Sequence, residues 1–372
     1  MRVVMVSKAF VRGAYQRKLE ELAALPDVEL TLITPPSWRE AGQTTELDVR
    51  FTRGYEVVVL PIAFNGHFHV YFYRGLGRAI AERRPDILHV DEEPYNLSTF
   101  QAMWEARRRG ARTLFFTWQN IYRQLPAPFS WIERSVYRWA DWAIAGNQDA
   151  VDVLRRKGYG GPTSVIPQFG VDPALFYPQD RPDGKRSRPF VIGFLGRFEE
   201  SKGLLDLLEA CAGLGTAAGD WQLRLIGGGP LRETIEQRAT ALGIARHLDI
   251  RSSVPSTEVP RELNQLDVLV LPSRTTPSWR EQFGRALTEA MACAVPVIGS
   301  DSGEIPNVIG EAGLSFPEGD VARLRDCLAE LRTDPMLRRE LAERGRARVL
   351  AHYTQAQIAA QTYAVYCKLL GA

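Results

Sequence analysis

The feature that most constrains this 372-residue chain is a strand-and-helix rhythm that runs, stops and starts again. Short apolar, β-branched runs occur at "RVVMVS" (2–7), "VELTLIT" (28–34), "EVVVLP" (56–61), "DILHV" (86–90), "RTLFFT" (112–117) and "WAIAG" (142–146). Between them lie stretches such as "AYQRKLEELAAL" (14–25), whose apolar residues recur at helical spacing. A second series follows at "RPFVIGFLGR" (188–197), "WQLRLIGGG" (221–229), "LDIRS" (248–252), "LDVLVLPS" (266–273), "AVPVIGS" (294–300) and "GLSFP" (313–317). Continuous apolar strands alternating with helices predict parallel sheets covered on both faces. The length exceeds one ordinary core. Two doubly wound α/β domains are therefore expected to face each other across a cleft, with ligands beyond the carboxyl ends of the strands.

The segment "FGVDPALFYPQDRPDGKRSRP" (169–189), rich in Pro, Gly and charge, suits the connection between them. We place the first domain at 1–172 and the second at 173–352. The final stretch, 353–372, has helical periodicity but no strand after it to cover, so it is expected to return to the first domain. Hydrophobic residues make up 45% and the net charge is +2, which argues against a nucleic-acid binder with a basic face. Cys211, Cys293, Cys327 and Cys367 form no C-x-x-C pair, which argues against zinc and disulfides and for a reducing compartment. No apolar run approaches the length of a membrane span, and "MRVVMVSKAFVRG" lacks the apolar core of a signal peptide. A cytoplasmic location follows as an expectation.

Four stretches carry chemistry. In "FLGRFEESKG" (194–203), Arg197 and Lys202 flank an acidic loop between a strand and a helical pattern. Cations beside a helix N-terminus suit a diphosphate, although both could instead pair with Glu199 and Glu200 on the surface. "LIGGGPLRETIEQ" (225–237) places three glycines at a strand's carboxyl end, where backbone can approach a ligand closely. No G-x-G-x-x-G follows a strand, so a dinucleotide cofactor has little support. In "SWREQFGRALTEAMACAVPVIGSD" (278–301), a helix starting near Phe283 or Gly284 would leave Glu281 in the loop and Glu289 about two turns inside. Carboxylates there are natural acceptors for pairs of sugar hydroxyls. Finally, "HVDEEPYN" (89–96) ends a strand. It offers Glu92 or Glu93 as an acceptor-binding residue or, equally, an acidic helix start.

"GRFEESKG", "GGGPLRE", "EQFGRALTEAMACAVPVIGSDSGEIP" and "GLSFPEGD" follow one another in the order and spacing of the retaining glycosyltransferases of family 4, which this chain resembles. The resemblance is strong over roughly 190–320 and continuous over the N-terminal half. It implies the GT-B fold of two Rossmann-like domains, the first on the acceptor side and the second binding the donor. It also implies transfer of a hexose from a UDP- or GDP-linked sugar to an acceptor hydroxyl by same-face attack, a donor phosphate oxygen taking the acceptor's proton. By the same resemblance, Arg197 and Lys202 contact the donor diphosphate and Glu281 the donor sugar. The backbone of Phe283, Gly284 and Arg285 approaches sugar and phosphates, and Glu289 binds the ribose hydroxyls. Ser253 and Val254 bracket the base, and Gly13 faces the phosphate and acceptor.

Three departures stand out. Many relatives place a His in the first-domain loop facing the donor sugar, where "FFTWQNIYRQ" (115–124) offers Trp118, Gln119 and Asn120. The usual Gly before Val-Pro is Ala294. Where relatives read S-x-x-G-G-x-P, this chain has Glu304, read as a surface change rather than an acceptor contact. No D-x-D occurs and His67 and His69 have no clustered partners, so no metal is expected. The runs Arg83-Arg84 and Arg107-Arg108-Arg109 could form a basic face for peripheral contact with anionic lipid, or be ordinary helix ends where the dipole favours cations. Two rival functions remain at this level. One is a sugar-nucleotide epimerase, which would need a proton-moving pair; the other is a nucleotide-sugar sensor or inactive partner subunit.

Overall fold

The computed structural model describes residues 1–40, 42–179, 188–215 and 220–371. Part of the expected connecting segment, 180–187, lies outside the described residues. The chain divides into two compact units, Met1–Gly170 with Gln355–Ala372, and Val171–Thr354. The sequence-based division lay two residues away at each crossing.

In the first unit the main strands are β1 (Arg2–Val6), β2 (Glu29–Thr34), β3 (Glu56–Val59), β4 (Ile87–Val90), β5 (Arg112–Thr117), β6 (Trp142–Ala145) and β7 (Thr163–Val165). They form a parallel sheet in the order β7-β6-β5-β4-β1-β2-β3. Side chains alternate across it as the strand period requires. Val4, Val6, Leu88, Val90 and Phe115 enter one core; Val3, Met5, Ile87, Leu114 and Phe116 enter the other. Both faces are thus covered, which is why these strands read as unbroken apolar runs.

The second core is closed by the C-terminal helix Gln355–Leu370. It contributes Ile358, Ala359, Val365, Tyr366 and Leu369, a stripe at helical spacing. The Tyr366 hydroxyl meets Nδ1 of buried His89 at 2.7 Å, and burial pushes the imidazole pKa well below its ordinary value. Where the chain leaves the first unit and returns, the Gln355 amide exchanges hydrogen bonds with Gly170, its Oε1 accepting at 3.1 Å and its Nε2 donating at 2.8 Å.

The second unit holds β8 (Phe190–Arg197), β9 (Trp221–Gly228), β10 (Leu248–Arg251), β11 (Val268–Leu271), β12 (Val297–Ser300) and β13 (Leu314–Phe316). Their order is β10-β9-β8-β11-β12-β13, all parallel. In each unit the winding reverses once, between β1 and β4 in the first and between β8 and β11 in the second. A doubly wound sheet opens a crevice at the carboxyl ends of such a strand pair.

Candidate functional site

At the reversal of the second sheet, two loops converge. The loop after β8 runs from Arg197 through a 3-10 turn, Glu200–Lys202, to the helix Leu204–Ala212. Gly203 makes this possible. Its φ is +63°, and a Cβ there would stand 1.9 Å from the carbonyl oxygen of Pro272. The loop after β11 is fastened alongside by Arg274, whose backbone N–H donates to Ser201 at 2.8 Å. The Arg274 guanidinium grips Asp206 through two hydrogen bonds of 2.5 and 2.6 Å.

Between these loops Lys202 Nζ donates to Glu281 Oε2 at 2.7 Å, and the Ser273 hydroxyl donates to the same oxygen at 2.9 Å. The ammonium also lies 4.2 Å from the Trp279 ring centroid. The Lys202 and Glu281 side chains are only 17% and 11% exposed, so both charges have lost most of their water. Such a pair holds together because hydroxyl and ring replace part of the lost hydration. Arg197 behaves differently. It ends β8, is 68% exposed and pairs with Glu199 at 2.8 Å. Of the two surface pairings weighed from sequence, one forms; Lys202 instead reaches a carboxylate 79 residues away.

The helix Arg285–Ala292 begins at Gly284, whose φ of +77° turns the chain into it. Phe283 is buried immediately before it. Glu289 lies a little over one turn inside, not two, because the first helical residue is Arg285 rather than Phe283. Its carboxylate accepts from Arg285 Nε at 2.8 Å, and burial raises its pKa. The turn after β12 supports Glu281 from behind. A Cβ on Gly303 would stand 2.1 Å from the Glu281 carbonyl oxygen, and Glu304 N–H donates to that oxygen at 3.2 Å. Glu304's own carboxylate accepts from Asn307 at 3.2 Å. Ser253 and Val254 lie in the loop after β10, Ser253 exposed and Val254 half-buried.

The glycine run after β9 serves the backbone itself. Cβ atoms on Gly227 and Gly229 would meet carbonyl oxygens of Gly196 and Phe198 at 1.9 and 2.5 Å; only Gly228 faces open space. These glycines let the loops after β8 and β9 lie against each other.

The first unit has its own arrangement at the reversal between β1 and β4. Lys8 N–H donates to Glu92 Oε1 at 2.8 Å, and its ammonium pairs with Glu92 Oε2. Trp38, Phe68 and Tyr71 rings surround that ammonium at 4.3–5.4 Å. Ser7 donates to Asp91 at 3.0 Å, and Gln168 donates to the same carboxylate oxygen at 2.9 Å. Glu93 accepts from Thr117 Oγ1 at 2.6 Å and Trp118 N–H at 2.8 Å. Burial pushes Asp91 up to about 6 and Glu93 up to about 7. The acidic helix start considered for these residues does not form, since the next helix begins at Leu97 with Asn96 as its N-cap. In the segment after β5, Trp118 packs against Gly146 and donates through Nε1 to Gln168 at 2.9 Å. Gln119 accepts from Lys157 at 2.9 Å, and Asn120 is buried. Gly13 is buried beneath Asp48 and Arg50. Sequence reasoning missed Ser273, Trp279, Arg274 and Lys8. Their one signal was position at a strand's carboxyl end or in the loop after it.

Two all-parallel doubly wound units, with the last helix completing the first, are the GT-B architecture. The second unit matches the glycosyl transferases group 1 family model over residues 178–348, and the first unit matches the glycosyl transferase 4-like domain model over 13–168. Alpha-maltose-1-phosphate synthase of Mycolicibacterium smegmatis is 32% identical over 64% of this chain and 66% of its own length. A GDP-mannose-dependent alpha-(1-6)-phosphatidylinositol monomannoside mannosyltransferase of the same organism is 30% identical over 62% of this chain and 63% of its own. The chain thus spans just under two thirds of each. Sucrose-phosphate synthase from Thermosynechococcus elongatus shares the fold, with a TM-score of 0.74 and 20% identity over 100% of this chain and 99% of that one.

Proposed function

We propose that this chain transfers a hexosyl group from a nucleoside diphosphate sugar, UDP- or GDP-linked, to an acceptor hydroxyl with the anomeric configuration retained. The observation that carries the reading is the Lys202–Glu281–Ser273 cluster at the sheet reversal, one loop away from the helix that starts at Gly284. In the structure Glu281 holds the ammonium. An arriving diphosphate offers more charge, so Lys202 turns to it and Glu281 is released to accept sugar hydroxyls. Arg197, exposed at the end of β8, adds a second cation. Phe283, Gly284 and Arg285 bring backbone to the sugar and phosphates, Glu289 takes the ribose hydroxyls, and Ser253 and Val254 bracket the base. The first unit presents the acceptor from its own strand ends, with Gly13 at the loop after β1.

Cleavage of the sugar–phosphate bond leaves negative charge on the diphosphate. Lys202, Arg197 and the helix N–H groups stabilise that charge where it develops, which is the largest catalytic contribution such a site can make. The acceptor attacks from the face the diphosphate leaves, and a phosphate oxygen takes its proton. No metal is required, because the two cations answer the leaving group's charge. A GDP-mannose-dependent relative and the family's E-x7-E spacing support this donor class.

The test is turnover with a panel of nucleotide sugars and hydroxyl acceptors. Lys202→Ala and Arg197→Ala are expected to lower transfer by about two orders of magnitude or more, on the scale of losing a transition-state donor, with unchanged folding. Near-normal turnover in both variants overturns the reading.

A further inference from the structure

We propose that the paired helices Leu97–Arg107 and Phe129–Trp139 of the first unit form a docking face for an anionic phospholipid surface. On the first helix Phe100, Trp104 and Arg107 recur at i, i+4 and i+7. On the second, Trp131, Arg134 and Arg138 recur at i, i+3 and i+7. Each set is therefore one stripe along its helix. The stripes meet: the Phe100 ring centroid lies 5.1 Å from both Trp131 and Trp139, and Trp104 lies 5.7 Å from Trp139. Phe100 and Trp139 pack against the core beneath, while Trp104 and Trp131 stand 46% and 54% exposed.

Charge says what would cover these rings. Arg107, Arg108, Arg134 and Arg138 are all exposed. None of them forms an ion pair among the described residues. The two glutamates on these helices are already taken, Glu105 by Arg109 and Glu133 by Lys157. Four uncompensated cations thus border two half-exposed indoles, on a chain whose whole net charge is only +2. An anionic partner is called for. Tryptophan at a headgroup boundary, with arginine stems lying along apolar surface and their guanidinium groups reaching phosphates, is what a lipid surface satisfies. The other basic run read from sequence takes no part, because Arg83 is bound to Glu56 by hydrogen bonds of 2.6 and 2.9 Å.

The experiment is co-sedimentation of the full chain with phosphatidylcholine vesicles, with and without phosphatidylglycerol. Binding to the anionic vesicles alone is expected, falling with added salt and becoming about tenfold weaker or more in a combined Arg107→Glu, Arg134→Glu, Arg138→Glu variant. A Trp104→Ala, Trp131→Ala variant separates the rings from the charges and should also bind more weakly. The arginine variant should keep the parent's melting temperature, since its guanidinium groups face water. The tryptophan variant, which gives up ring contacts with Phe100 and Trp139, should melt somewhat lower but stay folded at the assay temperature. Equal binding to the two vesicle types, no binding, undiminished binding by both variants, or tighter binding to an oligonucleotide than to vesicles overturns the proposal. So does lipid-free dimerisation that the Trp104→Ala, Trp131→Ala variant abolishes.

Discussion

Ala294 occupies a backbone conformation, φ +54°, that favours glycine, at the position where the family resemblance implies one. An L-residue there carries strain of about 1 kcal/mol. Ala294→Gly is therefore expected to raise stability by about 0.5–1 kcal/mol in urea unfolding, less whatever freedom glycine gains in the unfolded chain. Gly303 is the opposite case. Its φ of +54° and the Glu281 carbonyl 2.1 Å from its missing Cβ leave no room for a side chain. Gly303→Ala should lower stability by more than about 1 kcal/mol and disturb turnover through Glu281, read by melting and kinetics together. Glu93 makes a prediction about pH. Its folded pKa is about 7, above the ordinary glutamate value of 4.5. Between those two values the folded state keeps a proton that the unfolded chain has released, so Glu93's contribution to stability is lost as pH rises toward 7. The difference in unfolding free energy between parent and Glu93→Gln should therefore shift against the parent across that window; a constant difference contradicts it. At this scale the sequence was legible only in part. Lys202 was recognisable, but its partner lies 79 residues away, whereas Glu199 and Glu200 were the neighbours in view.

Every strand expected in either series is present. The inner ones are buried on both faces and so apolar nearly throughout, while the half-exposed edge strands Glu56–Val59 and Leu248–Arg251 still keep enough apolar residues to be read. Among the strands missed, Thr163–Val165 is a three-residue edge strand with half-exposed or exposed side chains, so nothing in its composition announces it. The antiparallel pair Ser37–Glu40 with Gln43–Glu46 escaped for the same reason, being largely exposed. The final helix was visible as an amphipathic stretch with no strand to cover. What it covers, the His89 face of the first sheet, needed the structure. Since Ile358 is fully buried there, Ile358→Ala should cost about 2–5 kcal/mol in unfolding of the first unit. Unfolding of the second unit should be unaffected, and a loss confined to the second unit would contradict the assignment. Tyr366→Phe leaves Nδ1 of His89 without its partner, and the Nε2 atom already lacks one. A further loss of about 1–3 kcal/mol is expected in the same measurement.

Each of the two units sets a lysine and a glutamate together at the point where its sheet reverses, Lys8 with Glu92 and Lys202 with Glu281. The doubling follows from the repeated rhythm of the sequence, since equivalent strands end at equivalent crevices. The pairs differ in what surrounds them. Lys8 is enclosed by three aromatic rings, whereas Lys202 has one ring, and its partner Glu281 accepts from a hydroxyl close to a helix start. The second pair is the one our proposal assigns to a diphosphate, and on it the whole functional reading depends. The most direct measurement is calorimetric titration of the parent and of Lys202→Ala with a panel of UDP- and GDP-linked hexoses. The account predicts saturable binding of at least one of these donors by the parent and binding weaker by about tenfold or more in the variant. Failure of the parent to bind any of them, or equal affinity in parent and variant, would contradict it.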